Sequence, residues 1–294
     1  MKFPFLKYSK IYYIFSGLLA LGVVISIFFF GLKLGIDFTG GSILEADFAS
    51  RPENSLIQEK IKDLALGEVV IQPTKEKGVI FRMKEIDERS HQVLLSKLGE
   101  LSSVQEKRFE SIGPVIGKEL REKTLLLIAI SLGALLLYIA FSFRKVAGRV
   151  SGWQYGLISI LSLAFDALIP VGLLSLLGKF YDVQLNIPIV AALLTILGYT
   201  INDKVVVFDR IRENLVKDRS ANFKEIVNRS LNQTLVRSLT TGFCTILVLS
   251  AIFFFGGDTL KYFSLILIVG IAAGTYSSIF LASPLLAGWI SRKK

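Results

Sequence analysis

Cysteine, histidine and charge are all scarce in this chain. The one cysteine, Cys244, permits no internal disulfide, and the one histidine, His91, leaves no Cys/His cluster from which a metal site could be read. Charged residues make up 20% of the 294, against about a quarter in an ordinary soluble domain. The hydrophobic share is 52% and the mean hydropathy +0.57. A soluble enzyme, a secreted disulfide scaffold and a disordered chain are excluded together.

What fills the space is long uncharged sequence. Uncharged runs cover 11–32, 124–143, 183–202, 238–257 and 262–291, and 150–178 contains a single charge, Asp166. A helix rises about 1.5 Å per residue, so about 20 residues cross the roughly 30 Å hydrocarbon core. Six membrane spans are expected. The first run exceeds a signal-peptide apolar region of about 7–15 residues, and no A-x-A-like site follows it, so it reads as an uncleaved span.

The net charge of +10 lies in short loops. Residues 33–123 hold 15 basic and 16 acidic side chains, so the whole excess belongs to the rest of the chain. It falls at Lys2, Lys7 and Lys10, at Arg144, Lys145 and Arg149, between Arg210 and Arg229, and in the tail 292–294. Alternate loops are poor in Lys and Arg. This is the positive-inside pattern with both termini cytoplasmic, not a nucleic-acid surface.

The chain divides into four segments: the N-terminus and first span (1–33), an extracytoplasmic domain (34–120), a five-helix block (121–291) and the basic tail. The domain reads as strand 43–48, helix 54–66, strands 68–72 and 79–83, helix 88–98 and strand 104–109, with breakers at Gly40-Gly41, Arg51-Pro52, Gly67, Pro73 and Gly78. The order βαββαβ predicts a ferredoxin-like α+β module. His91 falls on its second helix and reads as an ordinary surface or half-buried residue. Gly270 and Gly274 form a GxxxG in the sixth span that lets another helix approach closely.

An intramembrane charge costs at least about 2.5–3.5 kcal/mol and is a functional candidate by default. Asp166 lies mid-span in the third segment, Asp203 and Lys204 end the fourth, and Arg237 lies in the fifth. Asp203 is six residues from Asp209 and Arg237 eight from Arg229, or roughly 9 and 12 Å at 1.5 Å per residue. Acid and base at similar depth on consecutive antiparallel helices are expected to pair. Such a pair either holds two helices together or works as a switch, its carboxylate taking up and releasing protons as the arginine leaves and returns. A lone carboxylate is a sparse Na⁺ site unless Thr200, Asn202 or a partner adds oxygens, which favours H⁺.

Four strings, in order, resemble the SecD/SecF family of protein-export membrane proteins within the resistance–nodulation–division superfamily. They are Gly35-Ile-Asp-Phe-Thr-Gly-Gly-Ser42, Ser111-Ile-Gly-Pro-Val-Ile-Gly-Lys-Glu-Leu120, Gly198-Tyr-Thr-Ile-Asn-Asp-Lys-Val-Val-Val-Phe-Asp-Arg-Ile-Arg-Glu-Asn214 and Asn232-Gln-Thr-Leu-Val-Arg-Ser-Leu-Thr-Thr241. The motif positions include Gly35, Asp37, Gly40, Gly41, Gly198, Asn202, Asp209, Arg210 and Arg212. The resemblance implies a six-helix half of a transporter core with one small extracytoplasmic domain. It also implies a proton relay on Asp203, Arg237 and Asp166, the last a looser match. Lys204 departs from the family, where a small or hydroxyl residue is expected; a 100° step from Asp203 turns it elsewhere or towards the cytoplasmic surface.

By the same resemblance the activity is non-enzymatic and without cofactors. The partners are SecD, the SecYEG translocon and the translocating polypeptide, in the inner-membrane bilayer. The role is proton-driven promotion of late export. The rival expectations are half of a lipid or small-molecule exporter, and a membrane scaffold with a static Asp203–Arg237 pair.

Overall fold

The computed structural model describes residues 3–74, 77–143, 150–218 and 220–291. The basic residues 144–149 and the tail 292–294, both used for the orientation, lie outside the described residues. In chain order the elements are α1 (Ser9–Phe30), α2 (Ile36–Thr39), β1 (Gly41–Phe48), α3 (Asn54–Ile61), β2 (Val70–Thr74), β3 (Gly78–Met83), α4 (Glu88–Gly99) and β4 (Val104–Ile112). Next come α5 (Pro114–Ser142), α6 (Gly152–Tyr181), α7 (Ile187–Lys217), α8 (Phe223–Phe255), α9 (Gly257–Ser277) and α10 (Ser283–Ser291), with one π-helical turn, Ser278–Ala282, between the last two. Six helical stretches are long and apolar enough to span a membrane, the last running through α9, the π turn and α10. The six expected spans are all present.

Two compact units result: residues 33–126 with 184–186, and residues 1–32, 127–183 and 187–294. The smaller unit is a four-stranded antiparallel sheet in the order β2-β3-β1-β4, the ferredoxin-like order for a βαββαβ chain. Strand period two explains its core. Leu44, Ala46 and Phe48 of β1 and Val79, Phe81 and Met83 of β3 point to one face, where Ile57 and Ile61 of α3 and Leu94 and Leu98 of α4 cover them. Asp87 starts α4 by accepting the Ser90 amide at 3.0 Å.

Three local readings change. Helix α3, expected over 54–66, ends at Ile61. Pro73, expected as a breaker, lies inside β2, which is tolerable because β2 is an edge strand and needs no further amide donor. His91 is buried, 3% exposed, its ring stacked on Phe109 with centroids 3.7 Å apart and Nδ1 3.2 Å from Glu88 Oε1.

The first two sequence strings form one joint in this unit. Gly40 and Gly41 have φ of +75° and +129°, in the region where a side chain is strained. A Cβ on Gly40 would lie 2.7 Å from the Cα of Pro114, and one on Gly117 would lie 2.8 Å from the Gly40 nitrogen. The Ser42 and Ser111 hydroxyls meet at 2.8 Å, and Ser42 also accepts the Ile86 amide at 3.0 Å.

In the larger unit, a capping box of Ser151 and Gln154 opens α6. The core runs from Phe5 and Ile139 through Tyr155, Leu163, Val207, Phe208 and Ile226 to Leu286. Gly270 and Gly274 bring α9 against α7: a Cβ there would fall 2.2 Å from Ile196 Cδ1 and 1.9 Å from Thr200 Cγ2. The GxxxG therefore serves packing within the subunit.

Candidate functional site

The three central helices of the larger unit, α6, α7 and α9, close around charge. Asp166 stands near the middle of α6 and Lys204 near the middle of α7, and neither has any exposed surface. Lys204 Nζ pairs with Asp166 Oδ2, and the buried Ser277 hydroxyl at the end of α9 donates to Asp166 Oδ1. Two opposite charges out of water neutralise each other, and removal of one would strand the other. Lys204 does turn away from Asp203, as the helical step requires. Its direction is inward, to the core, and not to the cytoplasmic surface.

Asp203 is half-buried on the neighbouring face of α7. Its Oδ1 accepts the Ser238 hydroxyl at 2.5 Å, and its Oδ2 is buried without a hydrogen-bond partner. Among the described residues no ion pair joins Asp203 to Arg237, which corrects the expected direct pairing. The reason is again the helical step: on α8 it is buried Ser238 that faces α7, while Arg237 is exposed. The two remain neighbours across a cavity of about 350 Å³, lined also by Tyr199, Asn202, Thr241 and Thr245. The Tyr199 hydroxyl donates to the Thr241 carbonyl at 2.9 Å and lies 2.9 Å from Thr245 Oγ1, tying α7 to α8 beside it.

Arg237 also lines a second cavity of about 470 Å³ with Asp209, Arg210, Arg212 and Glu213. There Arg210 pairs with Glu213 at 2.5 Å and Arg212 approaches Asp209 at 3.5 Å. Arg237 and Val206 are common to both cavities, so Arg237 borders both the cavity beside Asp203 and the one beside the charged turn of α7. Gly198 and Asn202 are exposed on α7, and nothing lies within 4 Å of where a Gly198 Cβ would be. Gly35 and Asp37 belong to the other unit. The Gly35 amide donates to the Leu185 carbonyl at 2.7 Å, and Asp37 is half-buried on α2.

The structure thus brings Asp166 to Lys204 and Ser277, and Asp203 to Ser238, with Arg237 nearby. Lys204, Ser277 and Ser238 were missed as partners. One signal was present for Lys204: a lone cation beside an acid in an apolar stretch, with a second unmatched acid, Asp166, one span away.

Six long apolar helices with a charge cluster on the central ones, and a small split βαββαβ unit, define half of a resistance–nodulation–division type membrane block. Residues 93–292 match the C-terminal family of protein-export membrane proteins SecD/SecF, and residues 25–50 match the SecD/SecF GG motif. The chain belongs to the SecD/SecF family. It is 38% identical to the protein translocase subunit SecF of Thermobaculum terrenum over 96% of this chain and 92% of that one. It is 36% identical to SecF of Sebaldella termitidis, over 97% and 91%. The crystal structure of SecDF from Thermus thermophilus, a translocon-associated membrane protein, superposes with a TM-score of 0.87 at 34% identity. That match covers 99% of this chain and 39% of the SecDF chain.

Proposed function

We propose that this chain is the SecF-type subunit of a Sec protein translocase in the cytoplasmic membrane, with both termini inside and the βαββαβ unit outside. It acts with SecD, beside SecYEG, to couple proton flow to the late stages of polypeptide export. It is not an enzyme. The observation that carries this reading is the state of Asp203. One carboxyl oxygen is held by Ser238, and the other is buried, unpartnered and beside a cavity shared with an arginine. A proton on Oδ2 would leave the Ser238 bond intact. Its release would create a charge that Arg237, the cation lining the same cavity, is placed to balance.

A partner is supported by the same face. Asn202, Arg237 and Thr241 are exposed on apolar helices in the chain taken alone. In a bilayer such groups turn towards protein or water, not lipid. A subunit of the same six-helix plan would cover them, and SecD has that plan by family resemblance. Approach of an acidic partner group to Arg237 would draw it from Asp203 and favour protonation, so the relative motion of two subunits could drive proton exchange. The emerging polypeptide would be met by the outer unit, whose movement the exchange drives.

The test is export of a secretory protein in vesicles containing the complete complex, with the proton and sodium gradients collapsed separately. Loss on proton collapse alone supports the reading. Loss only on sodium collapse would remove Asp203 as a proton carrier.

A further inference from the structure

Asp166, expected as a further member of the relay, is held in a separate buried cluster on α6, α7 and α9, with Lys204 and Ser277 as its partners, and the path proposed through Asp203 and Arg237 leaves the chemistry of that cluster unassigned. Asp166 presents two carboxylate oxygens in a site without solvent exposure, one engaged by Ser277 and the other by Lys204. Two further buried hydroxyls, Thr200 Oγ1 and Ser162 Oγ, have no hydrogen-bond partner. Each lies one helical turn before a member of the pair, Thr200 before Lys204 and Ser162 before Asp166. Gly274 lies against both: an added Cβ there would fall 1.9 Å from Thr200 Cγ2, 2.6 Å from Thr200 Cβ and 3.5 Å from Asp166 Oδ2, so the Thr200 methyl faces α9 and its hydroxyl is left unpartnered beside the pair. Directly after Ser277 the backbone takes its π-helical turn, a departure from the regular ladder often found at functional sites.

Carboxylate and hydroxyl oxygens are the ligands of hard cations. An ammonium is a compact point charge with three donors and no acceptor, so it makes the same demand on its surroundings as a small monovalent ion. Charge balance fixes the valence: against one buried carboxylate a single positive charge gives neutrality, and a divalent ion would leave an excess. We propose that Lys204 is a tethered cation standing in for a monovalent ion, on a site built of Asp166 and Ser277 that the unpartnered Thr200 hydroxyl completes once the lysine is gone. The covalently attached charge keeps this site occupied. The chain is therefore indifferent to Na⁺ here, and removal of the lysine side chain uncovers a Na⁺ site. A simple structural clasp predicts otherwise, since a stranded carboxyl would then neutralise itself by taking a proton, with no preference among salts.

The experiment uses the purified full chain in detergent, compared in NaCl and choline chloride at equal ionic strength. The variants are Lys204→Ala, Lys204→Gln and Asp166→Asn/Lys204→Ala, and the readouts are radioactive sodium binding and the thermal midpoint. The wild type should bind no sodium at this site and show equal midpoints in the two salts. Lys204→Ala should bind about one sodium per chain, with a lowered midpoint that rises and saturates as Na⁺ replaces choline. The Asn/Ala double variant should bind none. Salt-independent behaviour of Lys204→Ala would overturn the proposal, as would equal sodium binding by the double variant. Lys204→Gln is shorter than the lysine by one atom, fills part of its space and offers an amide oxygen as a further ligand, so it should bind sodium as well if the alanine variant does not fold in choline. Failure of both to fold even in Na⁺ also counts against it, because the free ion should replace the missing charge.

Discussion

Asp166 and Lys204 should be strongly coupled in stability, and the structure sets the size of the effect. Both side chains are fully buried and each is the other's counter-ion. Breaking such a pair on one side typically costs about 3–5 kcal/mol, whereas replacing both sides by neutral groups of similar volume is often close to neutral. Asp166→Asn alone strands the ammonium and Lys204→Met alone strands the carboxylate, so each is expected to lose about 3–5 kcal/mol. The Asn/Met double variant restores neutrality, and its introduced amide oxygen can still accept the Ser277 hydroxyl. It should recover most of either loss, giving a coupling of at least about 4 kcal/mol. Reversible denaturation in mixed micelles, followed by near-ultraviolet circular dichroism in choline chloride, measures the cycle. Losses that simply add would mean that the two side chains do not balance each other.

Two glycines of the membrane helices should respond oppositely to alanine. Gly274→Ala places a methyl 1.9 Å from Thr200 Cγ2 and should destabilise the chain by about 1–3 kcal/mol, while Gly198→Ala meets nothing within 4 Å and should leave the midpoint unchanged or raised. Thermal unfolding compares them. Gly198→Leu should spare the isolated chain yet weaken co-purification with SecD if that face is covered by the partner. In the smaller unit, Gly40→Ala combines positive φ with a 2.7 Å approach to Pro114, and protease sensitivity near residues 36–42 should rise. The Ser90 hydroxyl and amide hold the Asp87 carboxyl below its usual range. Asp87 therefore supports α4 fully above about pH 4 and loses that effect as pH falls through its lowered folded value. Hydrogen-exchange protection in the first turn of α4, corrected for the intrinsic rate at each pH, should fall only at low pH in the wild type, and at all pH values in Asp87→Ala.

Periodicity and breaker placement made the fold legible, because strand alternation and span length follow directly from burial. The βαββαβ order was readable from where Gly and Pro punctuate the apolar runs. Pro73 misled because a breaker and an edge-strand residue look alike until the sheet order is known. The charges were legible as a set but not in their pairing. Depth counted from the nearest loop charge placed Asp203 beside Arg237, yet α7 runs on to Lys217 and α8 starts at Phe223, so both residues lie near mid-helix. Depth is shared by several residues of a turn, and rotation decides which of them meet. On α8 rotation selected Ser238, and on α7 it sent Lys204 to Asp166. The glycine strings at 35–42 and 111–120 were likewise read as separate signatures, while the sheet brings Ser42 and Ser111 together across β1 and β4.

The central claim is that Asp203 carries the proton, and Asp203→Asn tests it most directly because it keeps shape and removes titration. The introduced amide oxygen can still accept the Ser238 hydroxyl, so folding and insertion should survive. Full-length chains, wild type and variant, are to be assembled with SecD and SecYEG, and export measured with and without an imposed proton gradient. The variant complex should assemble normally and show no gradient-dependent gain in export. A variant complex that gains as much from the gradient as the wild type would contradict the account.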